Sequence, residues 1–343
     1  MAFVTFSDEQ DQWGYLYEST FGTANADSAN YKLVKFPRGT KIETNVVLSD
    51  LGHNRSARQP ESADIHVDNY SGPVRVTVPD FVISKDRLSD FYYACLQNKV
   101  SEGAAANYAK VFKPHLSQPD FTANAGYFFT LVHISPVTGK SELVTSCIVK
   151  EFGFDLDKTG TGDANLGKSS LVILGKSLTL GKTLTGSFVS QGTSYYNAHD
   201  YTYNYNDSTA LAWQKFSLRI DNGAEPLDKD TDGTPKSWAL KWGSDWGKVD
   251  LTHWYNADTT GTVVNLMADR KAGTVRLNSI STSTAVGTDG NHKISFYGIQ
   301  NQDPNGTDNR QLVAPVSYKL VHNSISTNDA LIVNVADGID QTP

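Results

Sequence analysis

The stretch GPVRVTVPDFVISKDRLSDFYYACL, residues 72–96, decides the fold because it joins a strand pattern to the clearest helix pattern in the chain. GPVRVTV alternates apolar and polar residues, which is typical of a half-buried strand. Ser84 or Asp86 is placed to cap a helix. An apolar stripe at helical spacing then predicts a helix lying across a sheet. The stripe consists of Leu88, Phe91, Tyr92, Cys95 and Leu96.

Outward from this stretch, most of the chain predicts β-structure. Alternating or β-branched runs recur, and clusters of Gly, Asn, Asp and Pro bound nearly all of them. This spacing favours antiparallel sandwich or barrel architecture over βαβ units, so the predicted fold class is mainly β. The runs lie at 31–36, 126–134, 147–156, 215–220, 273–280, 293–299 and 316–321.

The strand and helix patterns recur 163 residues later. Leu88, Phe91 and Tyr92 match Leu251, Trp254 and Tyr255, and a Pro-led strand pattern precedes each set. The order of Pro-led strand, helix, hairpin and strand is kept, although the match of individual residues is weak and chance alignment is the alternative. Internal repeats determine a whole fold. We therefore predict two tandem copies of one antiparallel β-sandwich or barrel-like unit, residues 1–191 and 192–343, each with one packed helix that carries three of these six residues.

Composition excludes several classes of protein. The chain has 343 residues, ample for two domains, and its hydrophobic content is that of a globular protein. The net charge of −7 argues against holding nucleic acid by phosphate neutralisation. We expect no membrane span and no signal peptide. Cys95 and Cys147, without a CxxC pair, are expected to be reduced, buried thiols.

One segment matches the phosphate-binding loop pattern. Gly162 to Ser169 reads G-x4-G-K-S. Such a loop works only between a strand and a helix, whose N-terminus helps to hold the phosphates. The residues that follow alternate as strands do, so we predict a β-turn rather than a nucleotide site.

Three further candidate sites are weak. Asp228, Asp230 and Asp232 open like a calcium loop, but Ala239 occupies the position of the bidentate carboxylate, so an acidic surface turn is favoured over incidental calcium binding. Asp155 and Asp157 share a strand face, where solvation is favoured over acid/base catalysis. The Trp residues from 238 to 254 favour core packing over sugar stacking. We expect no enzyme, no cofactor and no metal site.

Several features together resemble the tail tube proteins of long-tailed, siphophage-type bacteriophages. The segment from Tyr17 to Thr23, YESTFGT, resembles their early E-x-x-x-G-T. The polar stretch 48–64, LSDLGHNRSARQPESAD, lies where the family has a long loop or hairpin that reaches the next ring. The strand and helix of 72–96 follow, and KFSLRIDNG and PVSYKLV fit the family's second half. The order of these elements carries the resemblance over most of the chain.

The resemblance implies a structural role in the virion tail, with assembly in the host cytoplasm. Subunits would form a ring whose sheets join into an inner barrel, and stacked rings would conduct DNA into the host without binding it specifically. Two units per chain imply a ring of three chains with pseudo-sixfold symmetry. Implied partners are other copies of the chain, a tape-measure protein, and tail terminator or baseplate proteins. Since DNA must slide, we expect most inward-facing charges to be acidic.

The loop 48–64 is the expected ring-stacking element. We assign His53, Arg55, Arg58 and Glu61 to that contact. The corresponding loop 224–233 is acidic, so Asp228, Asp230 and Asp232 are candidate partners for the arginines in a neighbouring copy. A solvated surface loop is the alternative.

Other functions stay open at this point. The chain could be another β-sandwich virion protein of the baseplate or a capsid decoration protein. It could also be a carbohydrate-binding module, which the lack of a visible signal peptide disfavours. A hydrolase or nucleotidase has no surviving motif.

Overall fold

The fold is given by a computed structural model that describes most of the chain. The described residues are 12–24, 31–44, 47–50, 65–69, 73–103, 108–115, 117, 119, 127–134, 141–182, 184, 188–229, 234–254, 269, 271–283, 288, 290–300, 313–321 and 329–337.

Strands dominate the first half, as the sequence predicts, with one helix among them. The elements of this half are β1 (Gln12–Tyr17), β2 (Tyr31–Val34), β3 (Lys41–Glu43), β4 (Val47–Asp50), β5 (Ile65–Asn69), β6 (Val74–Val82), α1 (Lys85–Leu96), β7 (Gln97–Glu102), β8 (Ala109–Pro114), β9 (Phe129–Ile134), β10 (Ser141–Asp157), β11 (Lys168–Gly175), β12 (Ser177–Lys182) and β13 (Phe188–Val189).

The second half continues with strands. They are β14 (Tyr201–Tyr205), β15 (Thr209–Leu211), β16 (Trp213–Asp221), β17 (Glu225–Lys229), β18 (Pro235–Ala239), β19 (Gly247–Trp254), β20 (Val275–Thr282), β21 (His292–Gln300), β22 (Val313–Leu320) and β23 (Leu331–Ala336).

All of these strands except two hairpins belong to one continuous hydrogen-bonded system. Nearly every pairing in it is antiparallel; the short β2–β13 pairing is parallel. The two separate hairpins are β4–β5 and β17–β18. The predicted mainly β, antiparallel class is therefore confirmed.

The long strand β10 belongs to two sheets. Its first part pairs with β9 and β12, and its second part pairs with β11 and β16. Between the two parts, Ser146 has a φ of 47°, a left-handed conformation that is costly for a residue other than glycine. This irregular residue lets one strand turn from the first sheet into the second.

Glu18 holds the irregular residue in place. Its carboxylate accepts hydrogen bonds from the Ser146 amide (2.8 Å) and the Ser146 hydroxyl (2.7 Å), and also from the Thr130 hydroxyl. The amide of Gly22 donates to the Ser146 hydroxyl in turn. Burial raises the pKa of Glu18, although the hydrogen bonds from Ser146 and Thr130 oppose that shift. Glu18 and Gly22 of the E-x-x-x-G-T segment thus have a structural use within the chain.

Helix α1 lies where the stripe predicts it. Leu88, Phe91 and Tyr92 are all buried, and the rings of Phe91 and Tyr92 contact those of Tyr15 and Phe152 at 5.2 and 4.6 Å. The helix starts after Ser84, whose side chain makes no capping bond. It ends at Leu96 because Gln97 adopts a left-handed φ of 61°.

The prediction of a second helix, with Leu251, Trp254 and Tyr255, is wrong, because the structure has a strand here. Leu251 and Trp254 lie in strand β19, and Tyr255 lies outside the described residues. The pattern here has a period of two: Val249, Leu251 and His253 are buried, whereas the residues between them face outward. A strand buries alternate residues, so this pattern prevails over the weaker helical spacing.

Among the described residues, strands of the two halves pair with each other in two places. β10 pairs with β16, and β8 pairs with β23. A hydrophobic cluster also crosses the halves, since Trp238 packs with Phe128, Ile148 and Leu174. The division of the chain into domains 1–191 and 192–343 stays a prediction.

Two fully buried histidines make the fold sensitive to acid. Burial lowers the pKa of His253 to about 4 and that of His292 to about 3. The folded state therefore favours neutral imidazole. Stability from each group is fully present above about pH 6.5, the unfolded pKa, and is lost as the pH falls towards the folded pKa.

We expect His253→Gln to flatten the fall in unfolding free energy between about pH 6.5 and 4 by roughly 1 kcal/mol per pH unit. His199→Gln changes an exposed histidine and serves as the control. Urea unfolding at a series of pH values measures the slope. Equal slopes for the two variants and the parent would contradict this assignment.

Candidate functional site

The candidate functional surface is an antiparallel sheet that contains strands from both halves of the chain. Its strand order is β3-β6-β11-β10-β16-β19-β22, and β22 continues to β21 through a short pairing. The joint at its centre is the β10–β16 pairing, which runs from Glu151 opposite Asp221 to Asp157 opposite Lys215. We call this the spanning sheet.

One face of the spanning sheet is core and the other is largely exposed. Strand β16 shows the alternation: Phe216, Leu218 and Ile220 are buried, whereas Lys215 and Arg219 face outward. Strands β6 and β19 alternate in the same way. At one end, the β17–β18 hairpin covers the exposed face, because Trp238 packs on Ile148 and Leu174 there.

The register of the spanning sheet sorts its exposed charges into rows, because residues opposite each other on neighbouring strands lie on one face. Arg219 lies opposite Lys248, which lies opposite Lys319. We call these three residues the basic row. On one side of the basic row, Glu151 lies opposite Asp221. On its other side, Ser217 lies between Asp155 and Asp250 on the two neighbouring strands.

Each member of the basic row has a carboxylate partner. Arg219 donates to both oxygens of Asp155, at 2.9 and 2.7 Å. The ammonium of Lys248 lies 2.8 Å from Asp250, and that of Lys319 lies 2.7 Å from Asp245.

A further pair on this face joins Lys215 to Asp157 at 3.0 Å. Burial opposes ionisation of Asp157, but hydrogen bonds from Thr159 and Lys215 outweigh it and lower the pKa of this carboxyl. Asp155 and Asp157 thus share one face, as predicted, and each is matched by a cation. The exposed face therefore carries both signs of charge.

Two shallow grooves of about 470 and 440 Å³ run along this face. The first lies between Glu151 and Arg219, and the second between Asp157 and Thr252. Asp155 and Asp157 are held in ion pairs with Arg219 and Lys215. In the described part of the chain, no group of three or more His, Cys, Asp or Glu residues is placed to hold a metal ion.

The spanning sheet has an open edge on each side. Strand β6 pairs with β3 only from Arg75 to Thr77, so no described strand pairs with that side of residues 78–82. Strand β22 pairs with β21 only from Tyr318 to Leu320, which leaves the same side of residues 313–317 without a described strand. Each open stretch contains a proline, Pro79 or Pro315. Proline is tolerated on edge strands and limits unplanned pairing there.

The expected ring-stacking residues His53, Arg55, Arg58 and Glu61 lie outside the described residues. The stretch containing them is bounded by the antiparallel pair β4–β5, in which Asp50 lies opposite Ile65. This pair agrees with the hairpin that the resemblance implies at this position.

The candidate partners of that loop are described only in part. Asp228 is exposed on β17, and its carboxylate lies 3.5 Å from the ammonium of Lys236. Asp230 and Asp232 lie outside the described residues. The pairing of the two loops between neighbouring copies therefore stays a prediction.

The phosphate-loop match is not followed by a helix. Gly162–Asn165 forms a short 3-10 helix, and strand β11 follows from Lys168. The prediction of a turn and a strand is confirmed.

Sequence reasoning missed the buried charges that hold the halves together. Lys110 and Asp337 are far apart in sequence and pair at 2.6 Å with no exposed side-chain surface. Arg87 is similarly buried on α1. A lysine at an inward position of the alternating strand AKVFKP was the available signal for the first pair.

Cys95 and Cys147 are buried and free, as predicted. No helix within the described ranges is long and apolar enough to cross a membrane. Comparison with known proteins finds no family model that matches the chain and no significant match among curated proteins.

Proposed function

We propose that this chain is a structural subunit of a tube, in which copies join edge to edge through the spanning sheet. The observation that carries the proposal is that sheet: it crosses both halves and has one face on the core and one largely exposed. No described strand pairs with its edges at residues 78–82 and 313–317. Open edges favour pairing with another strand, and closure into a barrel removes them.

The two open edges belong to different strands, so joining them is a head-to-tail contact that closes if the rotation allows it. Three copies would supply about 18 strands from the six that run from β6 to β22. With strands about 4.8 Å apart and tilted by about 40°, the wall would be roughly 36 Å across between backbones. A channel of that width admits a DNA duplex.

This geometry and the resemblance together support a bacteriophage tail tube protein. The ring would contain three chains, and stacked rings would form the conduit for DNA during ejection. Other copies of the chain, the tape-measure protein and the terminator or baseplate proteins are the proposed partners. The virion tail is the proposed location.

Electron microscopy of negatively stained protein tests the proposal. We expect stacked rings with a central channel, and a native mass of the ring that corresponds to three chains. Assembly should depend on protein concentration because each contact joins two copies. Protein that stays monomeric at every concentration tested, or that forms closed shells, would contradict the proposal.

A further inference from the structure

The basic row would be a phosphate-binding surface if its cations were unpaired. Arg219, Lys248 and Lys319 lie on three adjacent strands, so their side chains follow one another at the strand spacing of about 4.8 Å. Their side chains are 37–48% exposed. Neighbouring cations at this spacing attract the DNA backbone, which carries closely spaced charges.

We propose that Asp155, Asp250 and Asp245 keep the spanning sheet from holding DNA by occupying the basic row. This inference rests on the proposed function and names how the channel wall treats its cargo. Each carboxylate lies within 2.9 Å of its cation, and the Arg219–Asp155 pair uses both oxygens. A phosphate would have to displace a partner that is already in place.

The arrangement differs from a wall that simply repels DNA. A mostly acidic wall would repel the phosphates at every point. Here rows of opposite sign alternate along the strands, so the potential changes sign within two residues, or about 7 Å. That distance is comparable to the screening length at physiological salt, so a passing duplex experiences little net attraction or repulsion.

The alternation also explains why the row contains cations at all. Exposed ion pairs contribute only about 0–1 kcal/mol each to stability, so they are a weak means of holding the fold together. Between adjacent strands, however, like charges directly opposite each other are unfavourable. The carboxylates relieve the repulsion within the basic row and cancel its attraction for phosphate at once.

A variant with all three carboxylates changed to amides tests the inference. In Asp155→Asn/Asp245→Asn/Asp250→Asn, we expect affinity for a labelled DNA duplex to rise by about tenfold or more over the parent at about 50 mM salt. The gain should fall steeply towards about 200 mM salt, with a slope that corresponds to about three phosphate contacts. Fluorescence anisotropy of the labelled duplex measures both quantities.

The control variant changes net charge equally at positions outside the exposed face. Glu142→Gln/Asp200→Asn/Asp207→Asn also removes three negative charges. They lie in the part of β10 that pairs with β9, in a 3-10 turn and in the β14–β15 hairpin turn. We expect it to bind DNA no more tightly than about twofold above the parent. Equal affinity of the two variants, or tight binding by the parent protein, would overturn the inference.

The outcome is separable from that of the tube proposal. Each protein is also imaged for tube formation. Tubes together with equal DNA binding by both variants would refute the inference alone. Selective DNA binding by the first variant without tubes from the parent would refute the proposed function and leave the charge arrangement standing.

Discussion

Replacing Lys110 by Met is expected to lower the free energy of unfolding by about 3–5 kcal/mol. The ammonium of Lys110 lies 2.6 Å from Asp337, and neither side chain is exposed. The substitution leaves the Asp337 carboxylate buried without its counterion. Since β8 pairs with β23 and Asp337 follows β23, the loss falls beside one of the two strand pairings that the described residues form between the halves.

The double variant Lys110→Met/Asp337→Leu separates the cost of an unpaired charge from that of lost packing. Because it removes both charges, we expect it to regain most of the lost stability, as apolar replacements of buried pairs often do. Urea unfolding followed by tryptophan fluorescence measures all three proteins.

The matched control is Lys293→Met, which breaks a partly exposed pair with Asp207 and should cost less than about 1 kcal/mol. A Lys110→Met variant that is as stable as this control would show that the buried pair contributes little. A double variant no more stable than the single one would assign the loss to packing instead.

The helix and the fold class could be predicted from sequence because both rest on local patterns. The apolar residues of the α1 stripe recur at the spacing of a helix and not of a strand. The helix ends at Leu96, the last residue of that stripe. In β19, Leu251 and Trp254 are compatible with either period, and the alternation of Lys248 to His253 decided the outcome. That alternation is visible in the sequence, where the match to the α1 stripe favours a helix instead.

The exposed face of the spanning sheet could be predicted only strand by strand. The sequence places Asp155 and Asp157 on one face of a strand. It does not place Asp155 beside Arg219, because that contact depends on the register between β10 and β16. A shift of one residue would move every side chain to the other face. Register depends on packing and pairing across the whole sheet, so the basic row and its partners required the structure.

Substitution of Arg87 is also expected to lower stability strongly, because this residue holds the segment that connects the two halves. Its guanidinium donates to the carbonyl oxygens of Leu33 at 3.0 Å, Val189 at 3.2 Å and Ser190 at 3.0 Å. The neighbouring Asp86 pairs with Arg87 at 2.9 Å and accepts from the amide of Gly192. The N-terminal turn of α1 therefore fixes the segment 189–192 against β2.

Arg87→Met is expected to cost about 3 kcal/mol or more, because it leaves three carbonyl groups without their donor and the Asp86 carboxylate without its cation. Arg87→Lys should lose somewhat less, since an ammonium keeps the charge but cannot reproduce the planar fork that reaches three acceptors. Urea unfolding gives the stabilities, and limited proteolysis reports whether the segment 188–194 is released. Equal stability of the two variants would show that the positive charge retained by Lys contributes nothing at this position.

The Arg87 result also bears on assembly, because the segment it holds crosses the predicted boundary at 191/192. The spanning sheet is held together at its centre by β10–β16, so Arg87→Lys should keep that sheet while loosening the connection beside β2. If tube formation requires only the spanning sheet, rings should still form under conditions where the variant is folded. If rings are lost while the variant remains folded, the connection itself contributes to the contact between copies, and the segment 188–194 becomes part of the interface.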